Sequence, residues 1–408
     1  MAFLLRPSGF KPHFLGALTL GLFLAVTGPG RATDTVLHAF AGASGDGALP
    51  HGDVTIAGGL LYGMTSEGGL NNAGSVFRLD PNGTSEALIH SFALGSNPAG
   101  SLVLNGSTFY GMTNGGGTGA GTIFSLTTAG VYHELWSFSG TDGANPLGSL
   151  VLSGSTLYGM TSFGGTGGVG TIFKIGLDGS GFQLLHSFAG GVNDGSQPFG
   201  SLTLSGSTLY GMTANGGQFT GGTLFQIDIN TQVFGVLHDF AAGSNPAGSL
   251  LLSGSDLYGT TAGGGANGSG TVFKIAASGA DFQELHAFEG TSDGSVPLGS
   301  LTAVGSMLYG TTSSGGANGL GTVFHMDMEG LGFMLDHSFA GGSDGANPQG
   351  SLTVANGVAY GTTLGGGATS PNDKGTVFSV AVVPEPGIVA LVIVAGGVLT
   401  LRRRRREW

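Results

Sequence analysis

Residues 146–188 read PLGSLVLSGSTLYGMTSFGGTGGVGTIFKIGLDGSGFQLLHSF, and the chain repeats this stretch, with small changes, along nearly its whole length. The Tyr of the Leu-Tyr-Gly-Met-Thr run recurs as Tyr62, Tyr110, Tyr158, Tyr210, Tyr258, Tyr309 and Tyr360, at spacings of 48, 48, 52, 48, 51 and 51 residues. A Pro stands twelve residues before each Tyr, from Pro50 to Pro348. A Phe follows in Gly-Ser/Thr-aliphatic-Phe, at 77, 124, 173, 225, 273, 324 and 378. An aliphatic-His-x-Phe-like run supplies another, at 40, 92, 138, 188, 240, 288 and 339. A period near fifty marks one supersecondary unit copied and stacked. Its four segments are short, β-branched or aromatic, and bounded by Gly, Asn, Asp or Ser, which predicts four strands, A to D. Four strands in that length make one β-propeller blade. Between the two ends no useful length has helical periodicity.

The phase of the repeats predicts a ring. The first D-like strand, Val36-Leu37-His38-Ala39-Phe40, stands before the first A strand, and the last repeat stops after C near Val380. A linear stack has no reason to begin with an orphan strand and end one short. A seven-bladed, all-β propeller does, because the N-terminal strand completes the last blade and removes two sheet edges. The layout is kelch-like, with a Gly-containing end to strand B. The kelch Tyr and Trp positions on C and D are missing, so kelch partners do not carry over.

Composition agrees with that reading. The chain has 84 Gly in 408 residues, yet 40% of it is hydrophobic, so the glycine serves turns rather than disorder. The Gly after each Tyr is expected to leave room for an aromatic of the next sheet, and the repeated Phe to fill the gaps between blades. Burying one such Phe contributes about 1.5–3 kcal/mol. There is no Cys, hence no disulfide and no thiol chemistry.

The two ends read as addresses. Residues 1–32 carry Arg6 and Lys11, an apolar run from Phe14 to Val26 and a small-residue exit, which predicts a signal peptide cut after Ala32. Residues 33–383 form the repeat domain. Residues 384–408 hold Pro384, Glu385 and Pro386, an apolar stretch from Gly387 to Leu401, and Arg402, Arg403, Arg404, Arg405 and Arg406. Fifteen helical residues extend about 22 Å, short of the roughly 30 Å hydrocarbon core. The arginines favour a cytoplasmic stop and a transient membrane contact. Residues 33–383 keep four basic side chains, Arg78, Lys174, Lys274 and Lys374, against 22 acidic ones, a net charge of −18. Such a surface disfavours nucleic acid and anionic lipid.

Val-Pro-Glu-Pro, a short apolar segment and a terminal Arg cluster resemble the PEP-CTERM sorting signal. The repeats resemble the GloVer tandem-repeat family of exported bacterial proteins with interchangeable C-terminal anchors. The two resemblances imply cleavage near Pro384–Pro386 by an exosortase-type sorting enzyme. They also imply a place on the outer surface or in the extracellular matrix of a Gram-negative bacterium.

Candidate chemistry is sparse. Six histidines share one repeat slot on strand D: His38, His90, His186, His238, His286 and His337, with Trp136 in the seventh. Imidazole is a common metal ligand, but D is the outermost strand, so the ring spreads these residues around its rim. Packing with a hydrogen bond to backbone or to a hydroxyl is the expected role. The D–A loops carry Asp-Gly at Asp46, Asp142, Asp194, Asp293 and Asp344. These are weak calcium candidates, because calcium takes six to eight oxygens and each loop offers one acid. Turn chemistry is the ordinary reading. Gly-rich stretches such as Gly115–Gly117 have no helix N-terminus and no following Lys-Ser/Thr, so they do not read as phosphate cradles. No residue is assigned a catalytic or cofactor-binding role.

Length variation points to a face. The Pro-to-Tyr distance never changes, whereas the D–A loops vary from six to ten residues between Phe and Pro. The last B–C loop is stretched by residues 368–374. Strands alternate in direction, so D–A and B–C loops open on one face, the expected ligand face. Three functions fit: an interaction or matrix module for exopolysaccharide or a surface protein, a polysaccharide-active enzyme, and a self-associating structural protein. The enzyme would need a unique acid or His cluster near the axis.

Overall fold

Strands A are Thr55–Ala57, Val103–Asn105, Val151–Ser153, Thr203–Ser205, Leu251–Ser253, Thr302–Val304 and Thr353–Ala355. Strands B are Leu60–Thr65, Thr108–Thr113, Thr156–Thr161, Thr208–Thr213, Asp256–Thr261, Met307–Thr312 and Val358–Thr363. Strands C are Ser75–Leu79, Thr122–Thr127, Thr171–Gly176, Thr223–Asp228, Thr271–Ala276, Thr322–Asp327 and Thr376–Ala381. Strands D are Glu86–Ser91, Tyr132–Ser137, Gln183–Ser187, Phe234–Asp239, Gln283–Ala287 and Met334–Ser338, with Thr35–Ala39 serving the last blade. Each set pairs in the order A-B-C-D as an antiparallel sheet, giving the seven blades of a β-propeller. Thr35–Ala39 pairs with Thr376–Ala381, so the ring closes without a covalent link between its last two strands.

The computed structural model describes residues 34–43, 45–367 and 373–382. The expected signal peptide, Pro384–Glu385–Pro386, the apolar stretch 387–401 and Arg402–Arg406 lie outside them, as does most of the stretched last B–C loop. Among the described residues no helix is long and apolar enough to cross a membrane.

Strand B explains the Tyr-Gly pair, with one correction. A Cβ on Gly159 would stand 2.5 Å from Cζ of Phe173, and Gly63, Gly111, Gly211, Gly259, Gly310 and Gly361 meet their own Phe in the same way. Gly159 and Phe173 are cross-strand partners in one blade. The ring that fills the gap therefore comes from strand C of the same sheet, not from the next one. With the ring lying over the backbone, no Cβ fits at that position.

Between blades the repeated Phe do pack as expected. Each D-strand Phe sets its ring against the C-strand Phe of the following blade, with centroids 5.1–5.4 Å apart and planes inclined 60–72°. Such pairs add about 0.5–1.5 kcal/mol beyond area burial. The pair Phe40–Phe77 joins the N-terminal strand to blade 1, in a cluster with Val54, Leu61, Leu79, Tyr360 and Val377. Closure thus uses the same Phe–Phe contact as every other joint.

A β-bulge in all seven C–D ladders was not legible in the repeat. In blade 3, Ile172 pairs with His186 and Phe173 with Leu184, so Leu185 is the extra residue. A bulge reverses the alternation of faces along its strand. Phe182 therefore turns back onto Trp136 of blade 2, while His186 and Phe188 turn forward onto Phe234 and Phe225 of blade 4. One strand serves two interfaces because of one inserted residue.

Candidate functional site

The Pro-x-Gly-Ser-Leu motif brings seven A strands to the axis. A Cβ on Gly100 would collide with the carbonyl oxygen of Gly148, and the same close approach runs from Gly148 to Gly200 and from Gly200 to Gly248. Crowding at the centre of the ring is what demands glycine there. The next residue makes a closed circle of hydrogen bonds. The backbone N–H of Ser101 donates to Ser149 Oγ, Ser149 to Ser201, Ser201 to Ser249, Ser249 to Ser300 and Ser300 to Ser351, at 2.7–2.8 Å.

Asp53 completes the circle and breaks its symmetry. Its own N–H donates to Ser101 Oγ at 2.8 Å, and its Oδ1 accepts from the N–H of Ser351 at 2.5 Å. Below this ring a channel of about 480 Å³ runs between the A strands, lined by Asp53, the six serines and a tier that includes Thr55, Thr203, Thr302 and Thr353. Burial pushes the Asp53 carboxyl above its ordinary range, opposed by hydrogen bonds from Ser351 and Ser101. Asp53 is half-buried, with its open side on the channel. Asp53 is the single titratable side chain among the described residues lining the channel. Two residues earlier, His51 Nδ1 lies 2.9 Å from Gln349 Oε1 of the last blade. Burial lowers the pKa of that imidazole, against the Gln349 bond and the charge of Glu67. Asp53 stands out in sequence as the one acid in the Ser slot, a signal visible only when the repeats are aligned on Pro and Gly.

The rim carries the histidines and the D–A aspartates, and it joins them. His38, His186, His286 and His337 place Nε2 at 3.2, 3.1, 2.9 and 3.1 Å from Asp46, Asp194, Asp293 and Asp344, and Trp136 Nε1 donates to Asp142 at 3.1 Å. The carboxylates also accept backbone N–H groups, as Asp194 does from Ala189 and Gly195. The five aspartates are thus spread over five joints, each tied to the ring of the preceding D strand. For Asp46, burial raises the pKa, but His38 and the N–H groups of Ala41 and Gly47 outweigh it and leave the value lowered. His90 and His238, whose loops lack the aspartate, are held below the ordinary imidazole range by burial. Among the described residues, two groups bring three ligand-type atoms within 4.8 Å of one another: Asp34–His337–Asp344 and His38–Asp46–Glu86.

Every D–A loop that carries Asp-Gly also pairs with the B–C loop of the next blade. Gly47–Ala48 pairs with Glu67–Gly68, Gly195–Ser196 with Asn215–Gly216, and single bridges join Ala144 to Phe163, Ser295 to Ser314 and Ala346 to Gly365. These loops expose Leu70, Phe163, Val192 and Phe219, a D–A loop without Asp-Gly exposes Leu94, and the C–D loops of the other face expose Val131, Val233, Phe282 and Leu331. On the opposite face, a groove of about 540 Å³ in blade 3 is lined by Tyr158, Lys174 and Asp178 among others.

The Gloeobacter/Verrucomicrobia repeat family model matches residues 91–251 and 205–385. No curated protein matches this chain. Among solved structures, an oligogalacturonate lyase from Vibrio parahaemolyticus is 10% identical, covers 87% of this chain and 95% of its own, and superposes with a TM-score of 0.56. A puromycin-hydrolyzing peptidase from Mycobacterium tuberculosis is 14% identical, with 88% of this chain and 58% of that chain covered and a TM-score of 0.54. At these identities the likeness is one of fold.

Proposed function

This chain belongs to the Gloeobacter/Verrucomicrobia repeat family, and we propose that it is an exported, surface-sorted propeller that holds a partner on its D–A and B–C loop face. The observation that carries this reading is the pairing of D–A with B–C loops, which vary in length between blades and display Leu70, Phe163, Val192 and Phe219. Exposed apolar groups favour a docking role; the C–D loops of the opposite face expose Val131, Val233, Phe282 and Leu331 as well, and what selects the D–A and B–C face is the length variation of its loops. A surface protein or an exopolysaccharide of the cell envelope is the class of partner. Sorting would depend on Pro384–Glu385–Pro386 and Arg402–Arg406 through an exosortase-type enzyme. The test is capture of extracted exopolysaccharide and surface proteins on the immobilised protein. Phe163→Ser with Phe219→Ser should weaken capture at least tenfold. Undiminished capture by that variant, with loss on changing Lys174 in the opposite groove, would move the site to the other face.

A second reading rests on Asp53. A lone carboxyl with a raised pKa, facing a hydroxyl-lined channel, has the form of a general acid for polysaccharide cleavage. Loss of a measured cleaving activity in Asp53→Ser, with partner capture intact, would favour it over the first reading.

A further inference from the structure

The position four residues before each rim His or Trp is aromatic in five repeats, namely Tyr132, Phe182, Phe234, Phe282 and Phe333, and acidic in two, Asp34 and Glu86. Each of the five aromatics stacks on the His or Trp of the preceding blade, with centroids 4.0–4.4 Å apart and planes within 7°. At the joint where the ring closes, Glu86 takes that place beside His38. We propose that His38, Asp46 and Glu86 form a binding site for a divalent transition-metal cation of the zinc type.

Three ligand-type atoms, one from each residue, lie within 4.8 Å of one another. A tetrahedral ion with bonds of about 2.0–2.1 Å sets its ligand atoms about 3.3–3.4 Å apart. The 3.2 Å between His38 Nε2 and Asp46 Oδ1 is close to such an edge. Asp46 is oriented by the N–H of Ala41 on Oδ2 at 2.6 Å and the N–H of Gly47 on Oδ1 at 2.7 Å, the kind of outer support metal-bound carboxylates receive. Oε1 of Glu86 is shut off from solvent and has no hydrogen-bond partner. A desolvated acceptor without a donor calls for an explanation, and a cation supplies one. One nitrogen and two carboxylates suit zinc better than calcium, which takes oxygen.

The other triad differs. Asp34 faces Nδ1 of His337 at 3.4 Å and Asp344 faces Nε2 at 3.1 Å, so the ring stands between the two acids. The three ligand-type atoms there also lie within 4.8 Å of one another, but the closest contact of each carboxylate is to a different nitrogen of the ring. In the His38 site the ligands come from the N-terminal strand, the loop after it and blade 1, so a bound ion ties down the strand that closes the ring.

The test is calorimetric titration of the chelator-stripped protein with ZnCl₂, paired with thermal unfolding. The parent should take up one Zn²⁺ per chain more than Glu86→Tyr and should gain melting temperature that the variant does not. Glu86→Tyr installs the residue that blade 2 uses at this place, so its fold should survive; Glu86→Gln gives a second, nearly isosteric loss of the ligand. Phe234→Glu, beside the His186–Asp194 pair, should add one Zn²⁺. Equal uptake by the parent and both Glu86 variants, or no uptake by the parent, overturns the assignment.

Discussion

Replacing Asp53 by Ser should stabilise this protein at neutral pH. The substitution restores the residue of the other six blades. The hydroxyl oxygen that Asp53→Ser introduces would accept the N–H of Ser351, as its counterparts accept theirs at 2.7–2.8 Å, so one hydrogen bond replaces another. What disappears is the cost of keeping a carboxylate at the axis, about 1–3 kcal/mol for a polar group partly removed from water. The sign with pH follows from the raised folded pKa. Between the unfolded and folded values the native state binds more protons, so parent stability falls as pH rises through that window and then levels off. Each unit of separation is worth about 1.4 kcal/mol. Urea unfolding from pH 4 to pH 8 should show the variant more stable at the upper end, by an amount that shrinks toward the lower end. A variant less stable at neutral pH, or a gap independent of pH, would refute the account of Asp53 as a destabilising acid.

Phe40→Ala and Phe188→Ala empty equivalent, fully buried sites and should each cost about 3–5 kcal/mol in urea unfolding. Hydrogen exchange should set them apart, since only Phe40→Ala is expected to expose Thr376–Ala381 by releasing the strand Thr35–Ala39 that pairs with it. Replacing His90 and His238 together by Phe should reduce acid sensitivity. Their folded pKa values lie below the unfolded 6.5, so parent stability is full above that pH and is lost as pH falls through the folded values. His325→Leu should destabilise by about 3–5 kcal/mol, because Asp336, bonded to Nδ1 at 2.8 and 2.9 Å, would be left buried and unpaired; thermal unfolding measures it.

Repeat spacing and strand phase were enough to specify seven blades and the strand that closes them, because each landmark, from Pro50 to Phe378, recurs in a fixed order that only a ring can complete. Burial of the seven tyrosines followed from the same regularity. The sites did not follow, for reasons of geometry. The histidines and the Asp-Gly turns looked like two separate features; a loop that folds back eight residues brings Asp46 to His38. A single bulged residue in strand D reverses which face Phe182 and Glu86 present, so sequence spacing suggests the wrong neighbour. Asp53 differs from six serines by one side chain, and nothing local marks it. Its meaning arises because seven remote segments converge on one axis, where symmetry makes a single exception the one titratable group among the described residues that line the channel. Periodicity is a property of the chain and can be read along it. Convergence depends on how strands curve, bulge and close, and those are set by packing between residues about 300 positions apart, such as Asp53 and Ser351.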